Sequence, residues 1–139
     1  MKLYNGKPNI TTVNLGDSSH GHGDGTAYEG ELMDSSGKVV GQYASWYVTV
    51  DMDKRDSNKA NHFSEKILTI ILNFGDDNEI IIQGGAFHSL DNQMIKPGVP
   101  GRKRAIVGGT GKYLGIRGEV IPYRLEDGTY VHDLIYRLD

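Results

Sequence analysis

Tyrosines in strand-like surroundings are the residues of this sequence best suited to act on a small organic molecule. Tyr43, Tyr47, Tyr123 and Tyr136 each lie in a segment rich in β-branched and aromatic residues. A phenol there can stack on a ligand, hydrogen-bond to it, or serve only as packing. Ionisable groups are embedded in the same kind of segment, namely Glu29, Glu31, Glu119, Arg124, His132, Asp133 and Arg137. A carboxyl turned into a water-poor interior holds its proton more tightly and can work as a general acid or base; turned outward it is a surface charge.

Other constellations lead nowhere chemical. His20 and His22, in Ser18-Ser19-His20-Gly21-His22-Gly23-Asp24, are residue types that ligate metals. Their interleaved glycines make the run a loop, whereas a metal site needs ligands held by rigid elements, so no metal is expected. Gly108-Gly109-Thr110-Gly111-Lys112 has the composition of a phosphate loop without its spacing, since Tyr113 follows the lysine and no helix comes after it. No Gly-x-Ser-x-Gly elbow occurs.

The elements that must position the tyrosines read as strands. Short apolar runs rich in Val, Ile, Tyr and Phe, bounded by Gly, Asp, Asn and Ser, predict eight of them: Asn9 to Leu15, Thr26 to Met33, Lys38 to Asp51, Phe63 to Phe74, Glu79 to Phe87, Arg104 to Gly108, Glu119 to Leu125 and Tyr130 to Leu138. Asp34-Ser35-Ser36-Gly37, Gly75-Asp76-Asp77-Asn78 and Glu126-Asp127-Gly128 are hairpin turns. Eight meandering antiparallel strands predict an all-β, eight-stranded barrel, which removes exposed sheet edges and leaves room inside for side chains or one small ligand. Two longer connections, 52–62 and 89–103, interrupt the meander; the second is the candidate lid.

Period-two alternation places Tyr43, Ser45 and Tyr47 on one face of their strand and Ala44, Trp46 and Val48 on the other. Spacing leaves open which face is inside. The strand from Phe63 is apolar on both faces, which requires a covered outer face and predicts a homo-oligomer, a dimer or a trimer.

Composition narrows the function classes. The chain has 139 residues, one domain's length, with 19 glycines and no cysteine. Lack of cysteine excludes disulfides, thiolate zinc sites and a cysteine nucleophile. A formal charge of -3 offers no basic footprint for nucleic acid. No apolar run reaches the ~18 residues of a membrane span, and the N-terminal residues lack a signal-peptide pattern. The expectation is a cytoplasmic protein with neither nucleic acid nor membrane as partner.

Ala105-Ile106-Val107-Gly108-Gly109-Thr110-Gly111-Lys112-Tyr113-Leu114-Gly115-Ile116-Arg117-Gly118 resembles the signature of the allene oxide cyclase and dirigent barrel superfamily. Glu31 to Gly41 is similar to the second hairpin of bacterial spirotetronate cyclases, and Gly118 to Leu138 to the last hairpin of dirigent proteins. Residues 1–25 match nothing and are left as a flexible N-terminal segment or lid. The resemblance implies a barrel with a central cavity. It also implies a cofactor-independent cyclase or isomerase that folds a flexible hydrophobic polyketide or terpenoid for intramolecular ring closure. A dirigent-type protein that only orients a reactive intermediate is the alternative.

Carried over without gaps, the pocket Asn and Cys of plant allene oxide cyclases fall on Glu29 and Tyr47, so that family's own chemistry is not retained. The match implies that Tyr47, and by period Tyr43, face the cup and that Trp46 faces out. Glu29, Tyr43 and Tyr47 are then the expected catalytic residues. Glu31, Ser45, Phe87, Tyr123 and Tyr136 are expected to bind substrate, with no cofactor.

Overall fold

The computed structural model describes residues 1–15, 23–51, 63–89 and 97–138. Nine strands follow one another: β1 (Lys2–Asn5), β2 (Asn9–Val13), β3 (Gly25–Met33), β4 (Val39–Asp51), β5 (Phe63–Asn73), β6 (Glu79–Ser89), β7 (Arg104–Gly109), β8 (Arg117–Arg124) and β9 (Tyr130–Arg137). Every pairing is antiparallel, and from β3 to β9 each strand pairs with the next. The hairpin turns form as their residues predict. Asp34 accepts the backbone N–H of both Ser36 and Lys38, and Gly37 takes the left-handed conformation, φ 85°, that closes the turn. Among the described residues no helix is long and apolar enough to cross a membrane.

The sheet closes into an eight-stranded barrel, but not with the expected eight. β1 pairs on one edge with β9 and on the other with the end of β3, through Tyr4↔Met33 and Asn5↔Leu32. β2 pairs only with the first half of β3, from Asn9↔Glu29 to Val13↔Gly25, and is an extra strand beside the ring. Within the stretch 1–25, for which the sequence suggests a flexible segment or lid, Lys2–Asn5 and Asn9–Val13 form the closing strand and its neighbour. Four residues with a single buried apolar side chain, Leu3, leave too short a pattern to detect. Between the two strands Gly6 donates to the Glu31 carbonyl at 2.8 Å, and Pro8, which has no N–H, ends the β1 path.

Inward residues fill one end of the barrel. Leu32, Leu72, Ile80, Ile82, Val120 and Leu134 are fully buried there. The glycine-rich signature caps this end: after β7 a single 3-10 turn, Gly111–Tyr113, lays the Tyr113 ring 5.1 Å from that of Phe74. Thr110 pins the cap by donating to the Asp77 carbonyl (2.6 Å) and accepting from the Glu79 N–H (3.0 Å), and the Lys112 N–H donates to Asn78 Oδ1 (2.8 Å). The run that resembles a phosphate loop is therefore a plug held by the neighbouring hairpin. Outward, β4 and β5 expose Trp46 and Ile67.

The two adjacent glycines of the signature differ sharply in surroundings. A Cβ on Gly109 would lie 2.6 Å from the Tyr113 carbonyl oxygen and 2.8 Å from that of Glu79, whereas one on Gly108 meets nothing within 4 Å. Gly109→Ala is expected to cost about 2 kcal/mol or more. Gly108→Ala is expected to be neutral or to stabilise by up to about 1 kcal/mol. Urea unfolding of the two variants checks this, and equal costs would mean that the cap does not grip its neighbour.

Candidate functional site

Polarity changes along the inward face as the strands leave the plug. On β5 the inward series runs Leu72, Ile70, Leu68 and then Lys66; on β7, Ile106 and then Arg104; on β9, Leu134, His132 and Tyr130. Above the apolar layers lies a cavity of about 260 Å³. Gly6, Pro8 and Ile10 line it on one side and Gly128, Thr129 and Tyr130 on the other. These flank the seam where β1 ends and β2 does not continue the pairing with β9.

Tyrosines make the wall on β3 and β4. Directly opposed residues of an antiparallel pair share a face, so Tyr28↔Ser45 and Thr26↔Tyr47 set Tyr28 beside Tyr47. Their hydroxyls are 3.0 Å apart and their ring centroids 5.5 Å. Gly30 opposes Tyr43, and a Cβ there would come within 2.8 Å of the Tyr43 Oη. The space this leaves lets the Tyr43 hydroxyl donate to the Gly6 carbonyl at 3.0 Å, tying the wall to the seam.

Lys66 holds its Nζ 4.3 Å from the Tyr47 ring centroid. Burial raises the pKa of both phenols of the pair. For Tyr28 the hydrogen bond to Tyr47 raises it further. For Tyr47 the hydrogen bonds to Thr26 and Tyr28, with the charge of Lys66, outweigh burial and bring the hydroxyl below its ordinary value. The two phenols thus differ in proton affinity, with Tyr47 the more acidic of the pair.

Two basic side chains complete the wall. Arg104, 8% exposed, lies across Gly84, where a Cβ would sit 2.9 Å from the arginine Cγ. Burial lowers its pKa to about 10, so it stays a cation at neutral pH. His132 is 3% exposed; burial first, and the charge of Arg104 second, push its pKa down to about 3, so the imidazole is neutral. Among the described residues five buried side-chain N and O atoms lack a partner. Four of the five belong to Asn5, Arg104 and His132, all on this cavity. Proteins satisfy nearly all such atoms, so these groups turn their free hydrogen-bonding capacity toward the cavity, where water or a polar ligand can meet it.

Of the residues expected from sequence, Tyr43, Ser45 and Tyr47 come together in this cup, with the tyrosines buried and Trp46 outside at 45% exposure. Glu29 and Glu31 do not join them. The register pairs Glu29 with Ala44 and Glu31 with Gln42, on the outer face, where both glutamates are exposed and Glu29 lines an outer groove beside Trp46. The ungapped carry-over was one residue out of phase on β3, and Tyr28 and Gly30 are its inward positions. Tyr123 pairs with Val131, one residue out of phase with His132, and does not line the cup. Tyr136 has the parity of His132 but lies beyond Leu134, at the far end of β9 and 38% exposed.

Phe87 has its backbone in β6 opposite Glu65; its side chain, with His20, His22 and residues 90–96 of the expected lid, lies outside the described residues. Lys66, Arg104, Tyr28, Tyr130 and Asn5 were missed. Arg104 and Lys66 carried a usable signal, since each begins an inward apolar alternation as its one charged member.

No protein-family model matches this chain, and no curated protein does either. A solved structure does. The barrel is similar to that of pyocyanin demethylase, at a TM-score of 0.65 and 25% identity over 97% of this chain and 98% of the other. That neighbour is an enzyme, and the likeness supports a barrel of enzyme type without singling out the cyclase and dirigent superfamily.

His132 yields a pH prediction. Faced by Arg104 and Tyr130, it stays neutral in the fold down to about pH 3, whereas in the unfolded chain it protonates near its ordinary 6.5. Below pH 6.5 the unfolded state binds the extra proton, so stability falls on acidification by up to about 1.4 kcal/mol per pH unit. His132→Gln is expected to flatten this part of the stability–pH curve, measured by urea unfolding from neutral pH downward. A variant curve parallel to that of the wild type would refute the buried neutral imidazole.

Proposed function

We propose that this chain is an enzyme that holds a small, largely apolar organic substrate in the barrel cup and acts on it by positioning and by hydrogen-bond and proton donation from Tyr47. The observation that carries the reading is the convergence of unpartnered buried polar atoms on a cavity walled by Tyr28, Tyr43, Tyr47 and Tyr130. Leu68 and Ile70 make its apolar floor. A substrate held there exchanges water for fixed donors, which strengthens each polar contact at the reacting atoms.

Ring closure or isomerisation of a polyketide or terpenoid, the activity implied by the sequence resemblance, is chemistry of this kind. Holding two ends of one molecule in contact can lower a barrier by ~7 to 11 kcal/mol without any further group. The likeness to an enzyme named for demethylating pyocyanin supports small-molecule chemistry inside such a barrel. A second reading, the dirigent-type binder, is favoured by one observation: no carboxylate lines the cup among the described residues. Such a protein changes the outcome of a reaction only when another enzyme supplies the intermediate.

The test is extraction of the protein from its own cells with solvent, followed by mass spectrometry and a turnover assay on the molecule recovered. The wild type is expected to release a converted product. Tyr47→Phe is expected to retain the occupant unconverted, with kcat lowered about 100-fold or more. An empty cup, or undiminished turnover by the variant, defeats the enzyme reading; conversion that depends on an added oxidase establishes the binder.

A further inference from the structure

We propose that the occupant of the cup is an anion, a planar conjugated organic acid whose delocalised oxyanion is held by Arg104 with Lys66 on the same cavity. This rests on the reading of the cup as a small-molecule site and adds the class of molecule. Arginine is almost never buried without a counter-charge, because the desolvation of the guanidinium must be offset. Arg104 is more than nine-tenths buried, its Nε has no partner, and no ion pair or hydrogen bond joins it to any described side chain. Among the described residues, the group able to carry negative charge that acts on it is Tyr130, which burial keeps protonated.

Charge balance points the same way. The chain carries 18 acidic residues against 15 lysines and arginines, yet the described lining of the cup holds two of those cations and no carboxylate. The arginine stem is also provided for. Only glycine at position 84 leaves room for its Cγ, so the side chain occupies a made place. A guanidinium fork matches two oxygens in one plane, as in a carboxylate or a delocalised enolate, and binds them more strongly than a neutral oxygen. Phenol hydroxyls around it donate further hydrogen bonds to the same charge, and the rings accept the flat remainder of the molecule.

The experiment uses two probes alike in shape and different in charge, 2-naphthoate and 2-naphthamide, titrated calorimetrically into the full chain at neutral pH and low salt. Naphthoate is expected to bind about tenfold more tightly than the amide. Raising sodium chloride to about 0.5 M should weaken the naphthoate alone. Arg104→Gln should abolish the preference, with Arg104→Lys retaining part of it. Arg104→Met should raise the urea midpoint of the unliganded protein, because a buried charge without a partner opposes folding.

Equal or tighter binding of the amide overturns the anion while leaving the cup in place. Binding of neither probe overturns both the anion and the cup. A loss of affinity for both probes in Arg104→Gln, together with a lower urea midpoint in Arg104→Met, assigns the arginine to structure and also overturns the proposal. The salt dependence of the wild type decides the matter even where no Arg104 variant folds.

Discussion

Closure of the backbone hydrogen-bond ladder through β1 is the constraint on which the rest of this structure depends. Once Tyr4 and Asn5 pair with β3, and Lys2 to Tyr4 with β9, every strand of the ring has both edges satisfied and the inward parity of each is set. That parity stacks Leu72, Ile82 and Leu134 at the plugged end and delivers Tyr47, Lys66, Arg104 and His132 to the other. β1 is short and ends at Asn5, so the ring is complete at the core and parted beside the cup. Closure and opening are produced by the same few residues.

The interior divides the work of stability and of function along the barrel axis. The plugged end buries aliphatic side chains at near-zero exposure and is sealed by Tyr113 against Phe74. The cup does the reverse. Among the described residues, the Nε of its buried guanidinium and both nitrogens of its buried imidazole lack a hydrogen-bond partner, arrangements that oppose folding and that the rest of the barrel must offset. Glycines at 30 and 84 make that possible at close range, each leaving the space into which a larger inward neighbour from the adjoining strand is laid.

Much of the fold is legible in the residues themselves. Seven of the nine strands follow from apolar alternation between recognisable turns; β2 does as well, and β1 does not, because a single buried leucine among four residues carries no period. The face containing Tyr43 and Tyr47 could be separated from the face containing Trp46, and the superfamily resemblance selected the right one as inward. The same carry-over failed on β3. A strand has two faces one residue apart, and an alignment without its register turned Glu29 inward in place of Tyr28.

What the sequence determined alone was local: where strands begin and turn, which residues share a face, and that no cysteine chemistry is available. These depend on near neighbours in the chain, through side-chain period and turn conformation. Which charges meet was decided only by the tertiary structure. Lys66, Arg104 and His132 stand on three strands, and Tyr28 faces Tyr47 only through the register of β3 on β4. Their encounter, and the loss of water that shifts their proton affinities, are properties of a closed barrel that no segment has by itself.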